Sequence, residues 1–234
     1  TAKKYEAERP ELMVNGMQAT DIVAVTREIA WMIKSAGIDF LNIEPEEFDS
    51  PLGMSSGAGT IFGVTGGVME AALRTAYELY TGETLVDIEL SSIRGFDGIK
   101  VGSIMMDGKE IRVAVANGLG NAHNLLEIVR KEPDRYHFVE IMGCPGGCIG
   151  GGGQPYAAAN SIPLDTDCLK ARADALYSND RKKTIRRSHD NPEIQRLYKE
   201  FLGRPLSKKS HELLHTHYKP HEPKGIASRK IRAI

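Results

Sequence analysis

The stretch that decides the fold and the chemistry of this chain is Glu140-Ile-Met-Gly-Cys-Pro-Gly-Gly-Cys-Ile-Gly-Gly-Gly-Gly-Gln-Pro155. It continues an apolar segment, Tyr136 to Met142, which we predict to be a strand. Cys144 and Cys148 lie four residues apart in a loop dense in glycine. Thiolates bind soft metals, and a local pair can supply two corners of an iron–sulfur cubane. Because glycine lacks a Cβ, the backbone can wrap closely round a bulky ligand and leave N–H groups free to donate to cluster sulfides.

The pattern E-x-M-x-C-x-x-G-C-x-x-G-G-G-Q-P resembles the third cysteine motif of the iron–iron (FeFe) hydrogenases. The opening Thr1-Ala-Lys-Lys-Tyr-Glu6 is similar to the residues after the cysteine in that family's second motif, M-P-C-x-x-K-x-x-E. Lys3 and Glu6 then fall on the motif's lysine and glutamate. The stretch from Gly53 to Arg74 is similar to the family's glycine-rich turn and the helix after it. The resemblance continues to about residue 218.

The resemblance implies a 4Fe–4S cubane joined to a diiron subsite that carries carbonyl, cyanide and dithiolate ligands. It makes Cys144 a cubane ligand and Cys148 the thiolate shared by cubane and diiron subsite. The family takes four cysteines from three motifs, and only these two match. We therefore expect a fragment whose other cluster ligands come from the remainder of the hydrogenase chain. Cys168 matches no motif, and we interpret it as a buried or half-exposed side chain.

The resemblance also predicts the residues round the diiron subsite. It places Lys3 against a cyanide ligand, where an ammonium donates charge-assisted hydrogen bonds. Phe62 and Met142 would form an apolar wall of the pocket, and Gly63 would contact the cofactor. Residue types alone favour a solvated Lys3 and core positions for Phe62 and Met142. Glu6 is interpreted as a structural hydrogen-bonding carboxylate.

Composition excludes several classes of protein. The chain has 234 residues with 30 Lys and Arg against 31 Asp and Glu, so its charge predicts neither nucleic acid nor an anionic membrane as a partner. No apolar run approaches the roughly 20 residues that span a bilayer. Three scattered cysteines are not a disulfide framework, which favours a reducing cytoplasm.

Alternating helix and strand patterns predict an α/β fold: a mixed open sheet lobe flanked by helices, with a C-terminal helical appendix wrapping the lobe. Thr20-Asp21 predicts the start of a helix that runs to Ser35 and is closed by Gly37. A short strand is predicted over residues 40–43. A buried helix is predicted over residues 68–81, with Met69, Ala72, Leu73, Ala76 and Leu79 on its inner face.

Asp107-Gly108 predicts a hairpin between strands at 99–106 and 109–117. A helix from about Ala122 to Lys131 would return the chain to the strand before the cysteines. Open α/β sheets bind ligands where strands end in glycine loops. We therefore expect the cysteine loop and the glycine turn at 53–67 to converge.

Three segments are predicted along the chain. Residues 1–164 form the C-terminal lobe of the hydrogenase catalytic domain. Residues 165–218 form a basic, helical region that resembles the family's small subunit. Residues 219–234 have prolines and lysines without periodicity and are interpreted as a tail.

Two alternatives come from other classes of protein. His211-Glu-Leu-Leu-His215, with a helix cap at Ser210, has the H-E-x-x-H spacing that puts two imidazoles on one helix face for zinc, as in metalloproteases. Iron–sulfur assembly factors of the Nar/Narf type have a similar cysteine loop without a diiron subsite. The aligned lysine and the start of the helix after residue 66 favour the hydrogenases.

The predicted function is therefore part of an FeFe hydrogenase catalytic subunit, which interconverts dihydrogen with protons and electrons. The resemblance implies a multi-subunit complex and an electron partner, either ferredoxin or NAD(P)H-linked flavin subunits. No membrane span is predicted.

Overall fold

The computed structural model of this chain describes residues 13–18, 20–156 and 165–215. The chain divides into two compact units, residues 1–191 and residues 192–234. Lys3 and Glu6 lie outside the described residues, as do the predicted segment boundaries after residues 164 and 218. The three-segment division therefore stays a prediction.

The first unit contains a three-stranded mixed sheet, in which Lys109–Asn117 lies between Ile99–Met106 and Phe138–Met142. β3 (Ile99–Met106) and β4 (Lys109–Asn117) form the predicted hairpin, with antiparallel pairing from Ile99–Ala116 to Met106–Lys109. Asp107 and Gly108 have φ values of 48° and 75°, the left-handed backbone that a two-residue turn requires. The hairpin prediction is confirmed.

β5 (Phe138–Met142) pairs in parallel with β4, and the helix Leu119–Lys131 makes the crossover between them. Both strands are therefore followed by loops at the same edge of the sheet. The register pairs Asn117 with Met142, so the cysteine loop begins beside the end of β4. The predicted strand and helix are confirmed, with the helix starting three residues earlier.

Alternate residues of β4 pack on opposite faces of the sheet, as the strand period of two requires. Val113 and Val115 belong to a cluster with Met69 and Leu73 of the helix Gly67–Thr81. The remaining buried members of that cluster are Ile93 and Met106. Ala114 and Ala116 instead pack with Leu125 of the crossover helix. The sheet thus has a helix on each face.

A third cluster joins the glycine turn, the cysteine loop and the helix Thr166–Lys182. Its buried residues are Ile61, Val64, Ile149, Leu169, Ala173 and Tyr177. The first helix of the C-terminal region therefore packs directly on the lobe, in agreement with the predicted α/β class.

A small two-stranded ribbon, β1 (Met13–Val14) with β2 (Met17–Gln18), precedes these elements.

Two N-terminal predictions are wrong. The first helix begins at Thr26 rather than after Asp21, because the Val25 amide donates to the Glu28 carboxylate and closes the N-terminus there. The predicted strand at 40–43 is a 3₁₀ turn, Phe40–Asn42. Asn42 donates to Asp39 through its backbone and its side chain, and these local bonds replace strand pairing. The helix still ends at Ser35, and Gly37 has the expected positive φ of 68°.

The helix Gly67–Thr81 matches the predicted helix almost to its ends, but the predicted buried face is partly wrong. Ala72 and Leu79 are exposed, whereas Glu70 and Arg74 are completely buried. Apolar periodicity cannot find buried charges, because their burial depends on ion partners distant in sequence. Gly82 ends the helix in the left-handed conformation, as predicted.

The second unit is helical where it is described. It contains the helices Pro192–Leu197 and Lys208–Leu214 and a π-helical turn, Tyr198–Leu202. The last helix is capped by Ser207, whose hydroxyl accepts from the Ser210 amide, so the predicted cap at Ser210 is wrong. Within the described ranges, no helix is long and apolar enough to cross a membrane.

Candidate metal centre

The two candidate ligand thiols lie on one tight turn after β5. Cys144 and Cys148 are both free and exposed to solvent. The Gly147 amide donates to the Cys144 carbonyl at 3.1 Å and closes the turn between them. A 3₁₀ turn, Cys148–Gly150, follows directly. The local fold therefore presents both thiols to solvent from one tight turn.

Glycine is required at the centre of this turn. Gly146 and Gly147 have φ values of 76° and 95°, which residues with a Cβ rarely adopt. A Cβ on Gly147 would lie 2.7 Å from the Thr65 amide nitrogen, and one on Gly150 would lie 2.1 Å from the Pro145 carbonyl oxygen. The cysteine loop therefore packs backbone against backbone, both on itself and on the glycine turn.

The expected convergence of the two glycine-rich loops is confirmed. The Thr65 amide donates to the Gly146 carbonyl at 3.0 Å. The Gly146 amide in turn donates to Oδ1 of Asn117 at 2.9 Å, and this bond is buried. The Gly118 amide donates to the Met142 carbonyl at 2.9 Å. Bonds from the glycine turn and from the end of β4 thus hold the loop on two sides.

The expectation that the loop glycines leave their N–H groups free for cluster sulfides is wrong at four positions. These amides donate to acceptors within the protein instead: Gly146, Gly147, Gly150 and Gly151. At these four positions the glycines shape the backbone and are not open donors toward a ligand.

Glu140 supplies the cap that the helix Gly67–Thr81 lacks. The N-cap residue, Gly66, has no side-chain oxygen, and Glu140 accepts from the Gly66 and Met69 amides, each at 2.7 Å. A carboxylate at a helix N-terminus satisfies orphan N–H groups and is favoured by the helix dipole. The cysteine motif includes this glutamate, but sequence reasoning assigned it no role. The only sequence signal for Glu140 was its place in the motif, four residues before Cys144.

A buried ammonium group supports the glycine turn at residues 53–67. Lys100 is 5% exposed, and its Nζ donates to the carbonyls of Gly95 at 2.8 Å and Thr65 at 3.1 Å. Burial lowers the pKa of Lys100 to about 8, and the neighbouring carboxylates of Glu140 and Asp97 oppose that shift. The backbone of Thr65 is therefore hydrogen-bonded at both of its polar groups. Its carbonyl accepts from Lys100, and its amide donates to the cysteine loop. Sequence reasoning did not identify Lys100.

A buried ion network attaches the helix Thr166–Lys182 to the lobe. The Arg74 guanidinium donates to both oxygens of Asp180 at 2.9 Å and to Glu70 at 2.6 Å, and all three side chains are inaccessible to solvent. Arg186 also bonds Asp180 at 2.7 Å. Burial alone raises the pKa of Asp180, but hydrogen bonds from Arg74 and Arg186 bring it below the usual value for aspartate.

The predicted pocket residues occupy different environments. Phe62 is 45% exposed, so the residue-type expectation of a core phenylalanine is wrong. Met142 is partly buried at the end of β5. Gly63 lines a groove together with Cys148 and Leu176. Cys168 is partly exposed on the helix Thr166–Lys182, outside this loop. Within the described part of the chain, Cys148 and Gly63 are thus brought together.

Comparison with known protein families identifies the family of this chain, and the matched residues include the glycine turn and the cysteine loop. Residues 1–152 match the family described as "Iron only hydrogenase large subunit, C-terminal domain". The chain belongs to the iron-only hydrogenase family. Residues 166–221 of this chain match a second family, "Iron hydrogenase small subunit". The predicted resemblance to the C-terminal part of an FeFe hydrogenase, an oxidoreductase, is confirmed.

Similar proteins include curated hydrogenases. "NADP-reducing hydrogenase subunit HndD" of Solidesulfovibrio fructosivorans is 53% identical over 93% of this chain and 36% of its own length. "Iron hydrogenase 1" of Clostridium pasteurianum is 42% identical over 94% of this chain and 38% of its own length. The chain therefore spans little more than a third of the length of these two relatives.

The solved structures agree with the fold. A variant of the FeFe hydrogenase HydA1 from Chlamydomonas reinhardtii superposes with a TM-score of 0.72 and 44% identity, covering 93% of this chain and 61% of that chain. "Protein NAR1" of Arabidopsis thaliana is also similar, at 31% identity over 93% of this chain and 48% of its own length. The higher identities favour the hydrogenases over the assembly factors.

The zinc alternative has weaker support. The Nδ1 atoms of His211 and His215 lie 2.9 Å apart on the last described helix, near its C-terminal end. Among the described residues, the cluster of three possible metal ligands is Glu78, His189 and Asp190, and it includes neither histidine of the H-E-L-L-H motif.

Proposed function

We propose that this chain forms the C-terminal part of an FeFe hydrogenase catalytic domain and contributes two of the four thiolate ligands of its iron–sulfur cubane. The observation that carries the proposal is the turn of Cys144 and Cys148, which presents two free, exposed thiols on a backbone held from two sides. Thiolates on a glycine turn are the donor set that an iron–sulfur cluster takes. The residues present therefore fit half of the ligand set of a cubane.

In this proposal the cofactor is a 4Fe–4S cubane with a diiron subsite carrying carbonyl, cyanide and dithiolate ligands, and it supplies the redox chemistry of dihydrogen. Cys148 would be the thiolate shared by cubane and diiron subsite, and Cys144 would ligate the cubane only. The exposure of both thiols supports their role as ligands, and the division of roles between them rests on the resemblance of the motif.

The other proposed roles concern the surroundings of the cluster. Lys3, outside the described residues, would donate to a cyanide ligand. Phe62 and Met142 would cover the diiron subsite and exclude water, and Gly63 would allow close approach beside Cys148. The exposed ring of Phe62 and the shared groove of Gly63 and Cys148 support these roles.

We further propose that the chain works in a multi-subunit hydrogenase with ferredoxin or NAD(P)H-linked flavin subunits as electron partner. The name of the relative HndD, an NADP-reducing hydrogenase subunit, supports this direction. A cytoplasmic location is proposed from the cysteine content. One relative, however, is named "Periplasmic [Fe] hydrogenase large subunit" (Nitratidesulfovibrio vulgaris; 49% identical over 78% of this chain and 42% of its own length).

The decisive experiment loads the cofactor. The chain is produced together with an N-terminal part that carries the other two cluster cysteines, in an anaerobic host with the hydrogenase maturation enzymes. We expect cubane signals in electron paramagnetic resonance (EPR), carbonyl and cyanide infrared bands, and dihydrogen turnover. Absence of all three in the folded protein would overturn the proposal.

The same experiment separates the assembly-factor alternative, which the similarity to "Protein NAR1" keeps open. A protein of that class should show the cubane signal without carbonyl and cyanide bands and without dihydrogen turnover. The zinc alternative predicts stoichiometric zinc in the purified protein, which elemental analysis measures.

A further inference from the structure

The backbone of Gly146 lies at the midpoint of the segment between the two thiols, and both its N–H and its carbonyl are hydrogen-bonded. Its N–H donates to Asn117 Oδ1 at 2.9 Å, and its carbonyl accepts from the Thr65 amide at 3.0 Å. Gly146 and Asn117 are both buried, Asn117 to 3% exposure. The bond from Asn117 therefore lies beneath the turn, while Cys144 and Cys148 face solvent.

Asn117 is itself fixed in place. Its side-chain Nδ2 donates to the Asp97 carbonyl at 2.9 Å, and its backbone N–H donates to the Gly98 carbonyl at 3.0 Å. The carboxamide thus faces a carbonyl on one side and an N–H on the other. This pair of partners allows only one orientation of its oxygen and nitrogen. As the last residue of β4, in register with Met142 of β5, it joins the sheet directly to the cysteine turn.

We infer that Asn117 is a positioning residue for cluster ligation: its carboxamide fixes the peptide between Pro145 and Gly146 and thereby the spacing and direction of the Cys144 and Cys148 thiolates. The inference rests on the proposed function, because it assumes that these thiolates bind a cubane. Neither alanine nor aspartate at position 117 reproduces both hydrogen bonds of the carboxamide. Alanine would leave the buried Gly146 N–H without its acceptor, and aspartate would set a carboxylate oxygen against the Asp97 carbonyl.

The test compares three variants of the protein produced with its N-terminal part: Asn117→Ala, Asn117→Asp and, as a matched control, Leu125→Ala. Leu125 is fully buried against Ala116, the neighbour of Asn117, so its truncation destabilises the same part of the lobe without touching the cysteine loop. The readouts are iron retained per folded chain during a chelator challenge, and the EPR spectrum and midpoint potential of the cubane.

Residues that orient metal ligands typically change metal affinity about 10- to 100-fold when they are replaced. We therefore expect Asn117→Ala to release cubane iron to the chelator about tenfold faster than the unmodified protein, with a changed EPR line shape. Asn117→Asp keeps the acceptor for Gly146 and adds a negative charge, so it should retain more iron than Asn117→Ala and show a lower midpoint potential. Leu125→Ala should lose stability while its folded fraction keeps the wild-type release rate and spectrum.

Two results would overturn the inference. One is a wild-type release rate and line shape in Asn117→Ala. The other is an equal loss of iron in Leu125→Ala, because iron release would then follow stability and not the position of the thiolates. If the unmodified protein binds no cubane at all, the proposed function fails first, so the two failures can be told apart.

Discussion

The cysteine turn and the attachment of the helix Thr166–Lys182 are both buried junctions of the same lobe, yet they are built from different interactions. The turn is held by two neutral hydrogen bonds, one donated by the Thr65 amide and one accepted by the Asn117 carboxamide, and by glycine backbone in close contact. The helix is attached through Arg74 and Asp180, two fully buried charges. These contacts with the cysteine loop are neutral. Arg74 and Asp180 instead compensate each other's burial, so substitution of one removes the direct buried partner of the other.

We expect the largest effect on function at the cysteine turn. Cys148→Ala should abolish dihydrogen turnover, because no other side chain in the loop offers sulfur to both parts of the proposed cofactor. Cys148 is exposed, so the unfolding transition should change little. Turnover and urea unfolding of the matured protein measure the two effects. Cys168→Ala, outside the loop, is the control and should keep its activity. Turnover in a matured Cys148→Ala protein would contradict the assignment.

At the helix attachment we expect the opposite pattern. Arg74→Met removes the cation that Glu70 and Asp180 share, and breaking a buried pair in this way costs about 3–5 kcal/mol of unfolding free energy. Urea unfolding measures the loss, and the folded fraction should still bind its cluster. Glu127→Ala, which breaks an exposed pair with Arg130, is the control and should change little. An equal effect of the two substitutions would show that the buried network adds no more than a surface pair.

Lys100 extends the comparison, because its buried ammonium group bonds the Thr65 carbonyl in the glycine turn that packs on the cysteine loop. Its pKa in the folded protein is about 8 against 10.5 for an ordinary lysine. Between these values the unfolded chain binds a proton that the folded chain does not, so the Lys100 contribution to stability rises with pH. The rise should approach about 3 kcal/mol.

Urea unfolding at pH 7.5, 9 and 10.5 checks this prediction. Lys100→Met should lose the alkaline rise relative to the unmodified protein, whereas Lys109→Met, an exposed lysine of the same hairpin, should keep it. Parallel curves for the Lys100→Met and unmodified proteins would contradict the proposed coupling.

The smallest effect is expected in the second unit. His211→Ala and His215→Ala remove two exposed imidazoles whose nitrogens contact each other, and each should cost about 1 kcal/mol or less. Iron content and turnover should match the unmodified protein. Stoichiometric zinc that is lost in both variants would instead favour the H-E-L-L-H zinc alternative.

Periodicity and turn chemistry predicted the sheet and its two helices well. The Asp-Gly turn fixed the hairpin register, because its left-handed backbone suits few other residues. The same reasoning failed at residues 40–43, where the chain forms a 3₁₀ turn closed by local bonds to Asp39. It also missed the buried Arg74, because the ion partner that compensates its burial, Asp180, lies 106 residues away in sequence.

For the candidate site, the sequence by itself determined the two thiols, their spacing and the glycine turn between them. These features are local, and each follows from residue type and order. Only the tertiary structure decided what holds that turn: the Thr65 amide, the Asn117 carboxamide and the buried Lys100. Each of these partners lies far from the cysteines in sequence. Asn117 reaches the loop because β4 and β5 run in parallel and end side by side, whereas Thr65 comes from the glycine turn and Lys100 from β3.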